Sequence, residues 1–408
     1  MRHLLDQYLS SFRGLQRNIW VLALSMFINR SGSMVLMFTT LYLTRDLHFS
    51  KEAAGITLSF YGIGSVLGSF AGGWITDRMH HRPIMIFSLV GSGLILFLLL
   101  IAESQWAIAA ILFSYAFVGD MFRPANSAAI ALFSQPETRT RSVSLVRLAV
   151  NLGFTVGPAA GGFVAASLGF KTLFVLDSLT GFAAALMLVL FLPAGEKKAH
   201  QSQKQEIPVR GLSAYRDWIY LSFILLVALY GTSFFQLFAS MPQFFKEVFH
   251  YDEETIGMLL ALNGFLVVLI EMPLVPLMER KGSLFGLIII GVVFIPLSFL
   301  FLRFGNPWLG FSLMYTLLIT LSEVFAMPFM MNYALSRGGE GRKGEYSALY
   351  SIAYGISTIV APGMGLGLAD AFGFDRMLEF FMGLSLLTAL GFFVLSRIPG
   401  AVLSKEKA

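Results

Sequence analysis

The chain contains no cysteine and little charge: Asp, Glu, Lys and Arg together make up 13% of its 408 residues, against about 25% in ordinary soluble domains. Without cysteine there is no disulfide and no thiolate metal site. With so few charged residues, and with 56% hydrophobic residues and a mean hydropathy of +0.73, a water-soluble fold is excluded. Also absent are a phosphate-binding P-loop, a metalloprotease helix motif and a nucleophile elbow. The glycine-rich stretch Arg337-Gly-Gly-Glu-Gly-Arg-Lys-Gly has neither P-loop spacing nor a preceding strand. These absences argue against an enzyme and against ATP-driven work by this chain alone. They leave no requirement for a cofactor or metal, and any energy source is expected to be an ion gradient, most simply protons.

What is present is a series of long apolar runs. A helix needs about 20 mainly apolar residues to cross the bilayer core, and only helices or closed barrels satisfy every backbone polar group in lipid. The runs are too long and continuous for the alternation of barrel strands. The fold class expected is therefore an all-α integral membrane protein of twelve transmembrane helices, at 18–43, 54–76, 83–102, 106–134, 142–168, 172–193, 218–245, 255–278, 283–303, 307–334, 346–370 and 376–397. The first run is too long for a signal-peptide core and lacks a small-residue cleavage pattern, so it reads as a retained helix.

Residues 194–217 form the longest polar interval and read as a cytoplasmic linker dividing an N-terminal half, 1–193, from a C-terminal half, 218–408. At an offset of about 204, Pro158, Gly161 and Gly169-Phe170 correspond to Pro362, Gly365 and Gly373-Phe374, and Pro124 to Pro328. With a shift of two, Asp77-Arg78 corresponds to Glu279-Arg280, Gly55 and Gly62 to Gly257 and Gly264, and Tyr42 and His48 to Phe244 and His250. A shared register with polar matches at helix ends argues for duplication. Two such parallel halves are expected to enclose a cavity near the midplane that opens to one side at a time.

Orientation follows from Lys and Arg. With both termini cytoplasmic, 20 of the 29 fall in cytoplasmic segments and 6 on the other side, leaving Arg30, Arg123 and Arg147 inside spans. That bias matches the positive-inside rule. The basic balance thus reports membrane orientation and not a nucleic-acid partner. The expected location is the cytoplasmic (inner) membrane, as a monomer.

Two motifs carry a family resemblance. Between spans 2 and 3 stands Gly73-Trp-Ile-Thr-Asp77-Arg78-Met-His-His-Arg82, which resembles the loop signature of the major facilitator superfamily, with His80 where that pattern commonly has glycine. The resemblance implies a gating role for Gly73, Asp77, Arg78 and Arg82. Span 5 reads Gly153-Phe-Thr-Val-Gly157-Pro158-Ala-Ala-Gly161-Gly162. It resembles the antiporter motif of the proton-linked drug exporters in that superfamily at every fixed position. By residue type alone, Gly153, Gly157 and Gly161 share one helix face and permit close helix approach, Gly162 completes the motif, and Pro158 bends the span. A generic small-residue packing seam explains that spacing equally.

Charges within spans cost about 2.5–3.5 kcal/mol each on insertion scales, which makes them functional candidates. Glu323, Glu271 and Asp120 are the candidates for proton coupling. Glu323 lies in Leu-Ser-Glu-Val-Phe-Ala-Met-Pro, which looks like the acid-before-proline arrangement in span 10 of some proton-coupled multidrug exporters. The competing role for each acid is static pairing with an intramembrane arginine such as Arg30 or Arg123. Asp120 and Arg123, one turn apart, can satisfy each other, whereas Arg147 and Asp177 lie nearer span ends, where snorkelling or interfacial capping accounts for them and leaves both as secondary candidates. Asn29, Arg30, Tyr61, Arg123, Tyr230, Gln236 and Asn263 are candidates to contact a small-molecule substrate. The 40 Phe and 19 Met supply pliable apolar walls. The function expected is proton-coupled export of lipophilic or cationic small molecules. The alternatives are a proton-coupled importer of a peptide, siderophore or other metabolite, and a non-transporting membrane sensor or scaffold.

Overall fold

The computed structural model describes residues 14–32, 34–76, 78–135, 138–193, 213–281 and 283–402. Asp77 and most of the expected linker lie outside them, as do the side chains of Glu279 and Arg280. Among the described residues twelve helices are long and apolar enough to span a membrane: α1 (Arg17–Asp46), α2 (Lys51–Thr76), α3 (His81–Leu100), α4 (Gln105–Phe133), α5 (Arg141–Leu168), α6 (Phe170–Phe191), α7 (Trp218–Ala239), α8 (Glu253–Glu271), α9 (Leu284–Arg303), α10 (Leu309–Arg337), α11 (Glu345–Phe372) and α12 (Phe374–Arg397). No strand occurs among the described residues. Leu94, Phe163, Leu190, Leu225, Leu269 and Leu390 are among the large apolar side chains left exposed, as a lipid-facing surface requires.

The helices begin and break where local chemistry directs. Ser50, Ser104 and Ser283 each accept a backbone N–H from the first turn of α2, α4 and α9, supplying an acceptor that apolar surroundings lack. His80 does the same for α3 through Nδ1. Burial and the Arg82 charge hold its imidazole below the ordinary histidine range, which keeps that nitrogen an acceptor. Pro124 has no N–H for the carbonyl of Asp120, and α4 is interrupted at Met121 between Gln105–Asp120 and Phe122–Phe133. Several expected spans stop short of the helices observed, α10 running on to Arg337 and α11 to Phe372. The last turn of α1 widens into a π-helix over Tyr42–Asp46, and α8 belongs to a helix that runs on to Lys281. Apolar runs mark the membrane core, not the polar turns beyond it.

The duplication is visible in backbone geometry. Among the described residues the positive-φ non-glycines are His48 (φ 55°) and His250 (φ 58°). Each follows the same long-range turn, with Phe49 N–H bonded to Leu43 O at 2.9 Å and Tyr251 N–H to Phe245 O at 3.1 Å. Gly169 and Gly373, both at φ 82°, join α5 to α6 and α11 to α12. Packing repeats too: α1 lies on α5 and α6, and α3 on α4 and α6, as α7 lies on α11 and α12, and α9 on α10 and α12.

The chain forms two compact units. Unit one comprises Met1–Tyr42, Phe60–Lys198 and Glu253–Gly264, and unit two comprises Leu43–Ser59, Ala199–Asp252 and Phe265–Ala408. In unit one, Gly257 of α8 sits against the Pro158 carbonyl and Gly162 of α5, so a Cβ there would strike main chain. In unit two, Gly55 of α2 meets α11 in the same way, a Cβ falling 2.6 Å from the Pro362 carbonyl oxygen and 3.1 Å from the Gly363 Cα. Backbone approaches of this kind tolerate no side chain.

A polar knot closes one end of unit two. Asp217 caps α7, accepting the Tyr220 N–H at 3.1 Å. Its carboxylate receives Arg337 Nε at 2.6 Å and Nη2 at 2.9 Å, and Tyr346 Oη at 2.9 Å. Arg337 Nη1 also donates to the Gly400 carbonyl at 2.8 Å, and Tyr333 Oη to that of Ala401 at 3.0 Å. The ends of α7, α10, α11 and the segment after α12 are thereby tied together. Burial pushes the Asp217 carboxyl up, but the hydrogen bonds from Arg337, the Tyr220 backbone and Tyr346 outweigh it and hold the group below its usual range.

Two outcomes follow from this packing. Gly257→Val and Gly55→Val are each expected to cost about 1–3 kcal/mol through overpacking, read as a lower unfolding temperature in detergent, while Gly73→Ala loses nothing because no atom lies within 4 Å of its Cβ position. Removing one partner of the buried Asp217–Arg337 pair, as in Asp217→Asn, is expected to cost about 3–5 kcal/mol. Because the folded value lies below the unfolded one of about 3.9, this stabilisation is present above that pH and is lost as pH falls through the folded value. The wild type should therefore lose thermal stability in acid more steeply than Asp217→Asn.

Candidate functional site

Unit one gathers charged and phenolic side chains from α1, α2, α4 and α6, and small residues determine where they stand. On α5, Cβ atoms at Gly153, Gly157 and Gly161 would fall 2.5 Å from Arg30 Cβ, 3.1 Å from Ser31 O and 2.9 Å from Met34 Cβ. The glycine face of α5 is thus occupied by α1 at the level of Arg30. On the other side of α1, a Cβ at Gly32 would lie 2.7 Å from Thr180 Cβ on α6. Gly64, Gly68 and Gly72 let α2 ride on the backbone of α4 at Phe113, Phe117 and Met121. Helix approach this close brings side chains from four helices into mutual reach.

Asp120, buried and just before the α4 break, takes Arg123 Nε at 2.8 Å and the hydroxyl of Ser65 on α2. Asp177 on α6 is 5% exposed. It accepts Tyr115 Oη at 3.3 Å and the Val35 backbone N–H. Arg30 interacts electrostatically with Asp120, Arg123, Tyr61 and Tyr115, and with Asp177. Its guanidinium carbon stands 5.6 Å from the Phe154 ring centre, and its Nε is buried without a hydrogen-bond partner. The Tyr61 and Tyr115 rings are 6.2 Å apart.

The expected residues divide accordingly. Arg30, Tyr61, Asp120 and Arg123 come together, and Asn29 neighbours Arg30 in the chain. Tyr230, Gln236, Asn263, Glu271 and Glu323 lie on other helices. Tyr230 Oη meets Ser322 Oγ at 3.3 Å in unit two, and the charge of neighbouring Glu323 acts on Tyr230 and Tyr354. Glu323 and Glu271 are half-buried, whereas Asn263 is buried in α8. Gln236 is a correction. It is fully buried, and its amide donates to Thr232 O and Ala361 O, both at 3.0 Å, while accepting Ser240 at 2.5 Å. With those contacts made, it ties α7 to α11.

Asp177 is a second correction. Expected as an interfacial cap, it lies two turns inside α6 and is buried, while Arg147 is exposed. Tyr115 and Ser65 were not singled out by the sequence. The signal available for that seam was the four-residue spacing of Gly64, Gly68 and Gly72. In the loop motif, Arg78 folds back over Trp74, 3.9 Å from the ring centre, and Arg82 donates to Val189 O at 2.7 Å at the end of α6. Both guanidiniums thus sit where cations stabilise helix C-termini, and Gly73 faces open space.

Twelve spanning helices with a repeated six-helix pattern and an intramembrane charge cluster define a membrane transporter. The sequence matches the model of the Major Facilitator Superfamily over residues 22–362, and the chain belongs to that family. Among its relatives, it is 24% identical to a Na(+), Li(+), K(+)/H(+) antiporter of Planococcus maritimus, covering 85% of this chain and 88% of that one. It is also 24% identical to the class C tetracycline resistance protein of Escherichia coli, covering 78% and 81%. In fold it is similar to the peptide transporter POT solved with sulfate, at TM-score 0.78 and 13% identity over 96% of each chain. A bacterial homologue of the human lysosomal transporter Spinster gives TM-score 0.78 and 13% identity over 95% and 98%.

The Asp120–Arg123 contact is testable by a double-mutant cycle. Arg123→Gln and Asp120→Asn should each lower stability in detergent, and the double variant should lose less than the sum of the two, with a coupling energy of about 0.5–3 kcal/mol. Additive effects would mean that the pair contributes nothing.

Proposed function

We propose that the protein exports lipophilic or cationic small molecules in exchange for protons, by alternating access, with Glu323 as the main proton carrier and Glu271 and Asp120 as assisting acids. The observation that carries this reading is the setting of Glu323. It is half-buried in α10 among the tyrosines of α7 and α11. In α7 to α12 the lysines and arginines all lie near helix ends or in joints, so none stands in the middle of a span. An intramembrane acid in such surroundings is suited to exchanging a proton with water during a cycle.

Two relatives support the exporter over the importer, one described as a cation/proton antiporter and one as a tetracycline resistance protein. The excess of Lys and Arg in alternate loops supports cytoplasmic termini, and with them a place in the cytoplasmic membrane.

In proteoliposomes with an imposed pH gradient, ethidium movement driven by the gradient is expected to fall at least about tenfold in Glu323→Gln, a loss of about 1.4 kcal/mol or more in driving interaction. Ethidium exchange at equal pH should be kept. Full gradient-driven movement in Glu323→Gln removes the proton-carrier assignment, and ethidium moving in the same direction as protons replaces export with import.

A further inference from the structure

Unit two carries the Asp217 knot at the start of α7, and past the end of α7 it holds a cavity of about 350 Å³ lined by Thr44, Arg45, Gln243, Lys246, Glu247 and His250. The last turn of α1 supplies Thr44 and Arg45. The segment joining α7 to α8, helical over Met241–Glu247, supplies the rest. Both segments belong to unit two. None of these groups enters the Glu323 reading.

The contacts in the cavity wall sort its charges. Gln243 is 2% exposed; its amide oxygen accepts Thr44 Oγ1 at 2.9 Å, and its nitrogen donates to Glu247 Oε1. The other oxygen of Glu247 receives Lys51 Nζ at 3.0 Å, and Lys51 in turn stands 5.5 Å from the Phe374 ring centre. Glu247 is the one acid among the described lining residues, and both its oxygens are thus engaged by an amide and a cation. Counting Lys51, three cations stand with one carboxylate, and His250 adds an imidazole. The turn holds His250 at φ 58°, a position glycine takes at lower cost; what the histidine supplies there is a ring nitrogen at the cavity wall. Arg45, Lys246 and His250 come from two segments. Separate donors of this kind suit a tetrahedral oxyanion, whose oxygens point in several directions, better than a planar carboxylate, which a single guanidinium fork satisfies.

We propose that this cavity binds a phosphate-class oxyanion, either free phosphate or a lipid phosphomonoester, and that the bound anion clamps the α1–α2 and α7–α8 connections together. Arg45 holds it from the first connection, and Lys246 and His250 hold it from the second. The Thr44–Gln243 and Lys51–Glu247 contacts already join the two without it. A ligand that touches both connections binds best while they are joined, so it shifts the population toward that arrangement by its differential affinity. With the termini cytoplasmic, the cavity lies on the outer side, and the anion then opposes opening to that side. This effect on transport rests on the alternating-access reading, whereas binding and clamping depend neither on it nor on Glu323.

The test titrates inorganic phosphate, and separately dioctanoyl phosphatidic acid, into the purified full-length chain in detergent at constant ionic strength, with the heat of binding as readout. Binding of phosphate assigns the site to a soluble anion, and binding of phosphatidic acid alone assigns it to a lipid headgroup. Arg45→Gln and Lys246→Gln should each weaken the binding about tenfold, the loss of one charge-assisted contact. Arg45→Lys should keep most of it, which separates loss of charge from loss of fold. Glu323→Gln should bind as the wild type does, so that failure here and failure of the proton-carrier assignment read differently. Because the chain has no cysteine, spin labels attached through Glu52→Cys and Val248→Cys report the separation of the two connections. The bound ligand should raise the short-distance population, and Arg45→Gln should abolish that rise at the same ligand concentration. No binding of either ligand, binding unchanged in both glutamine variants, or label distances that ignore the ligand overturns the proposal.

Discussion

In a lipid environment a polar group has no solvent to fall back on, and this rule governs the structure at every scale. The backbone answers it by forming helices. Side chains answer it by bonding within their own turn: Thr39 donates to Val35 O at 2.6 Å, Thr320 to Thr316 O at 2.6 Å, and Ser178 to Phe174 O at 2.8 Å. Charges answer it by meeting one another, as Asp120 meets Arg123 and Asp217 meets Arg337. Arg30 is answered less directly, by the charges of Asp120 and Asp177 and by the ring of Phe154.

The same rule explains why glycine and proline recur at matched places. Lipid offers no hydrophobic drive for helices to associate, so contact depends on close approach and good packing. Gly55 on Pro362 and Gly257 on Pro158 are the same device used twice. The α5 motif does two things through adjacent glycines. Its Gly153 face seats α1 and so places Arg30, while Gly162 faces the start of α8. A pattern that reads in sequence as a seam or as an antiporter signature is in three dimensions the support for the charge cluster.

The two units treat charge differently, and that difference organises the functional proposals. Unit one balances two arginines against two aspartates, with tyrosines between them. In unit two the charge of Glu323 acts on the phenols Tyr230 and Tyr354. The first arrangement suits recognition of a charged group with its compensation at hand. The second is the setting from which the proton-carrier proposal starts.

Composition and hydropathy were enough to define twelve spans, because crossing about 30 Å of hydrocarbon leaves a length and polarity signature in any chain. The duplication was legible as well, since His48 and His250, or Gly169 and Gly373, serve unusual backbone positions that restrict what can stand there. The pairing of Asp120 with Arg123 could be read from helical spacing alone. What sequence could not reveal was which intramembrane groups meet across helices. Gln236 looked available and is locked to α11, Asp177 looked interfacial and is buried beside the Arg30 site, and Tyr115 gave no signal at all. Local order along the chain determines spans, caps and turns. Only packing decides which faces of α1, α2, α4 and α6 converge, because that depends on glycines on one helix fitting the backbone of another many residues away.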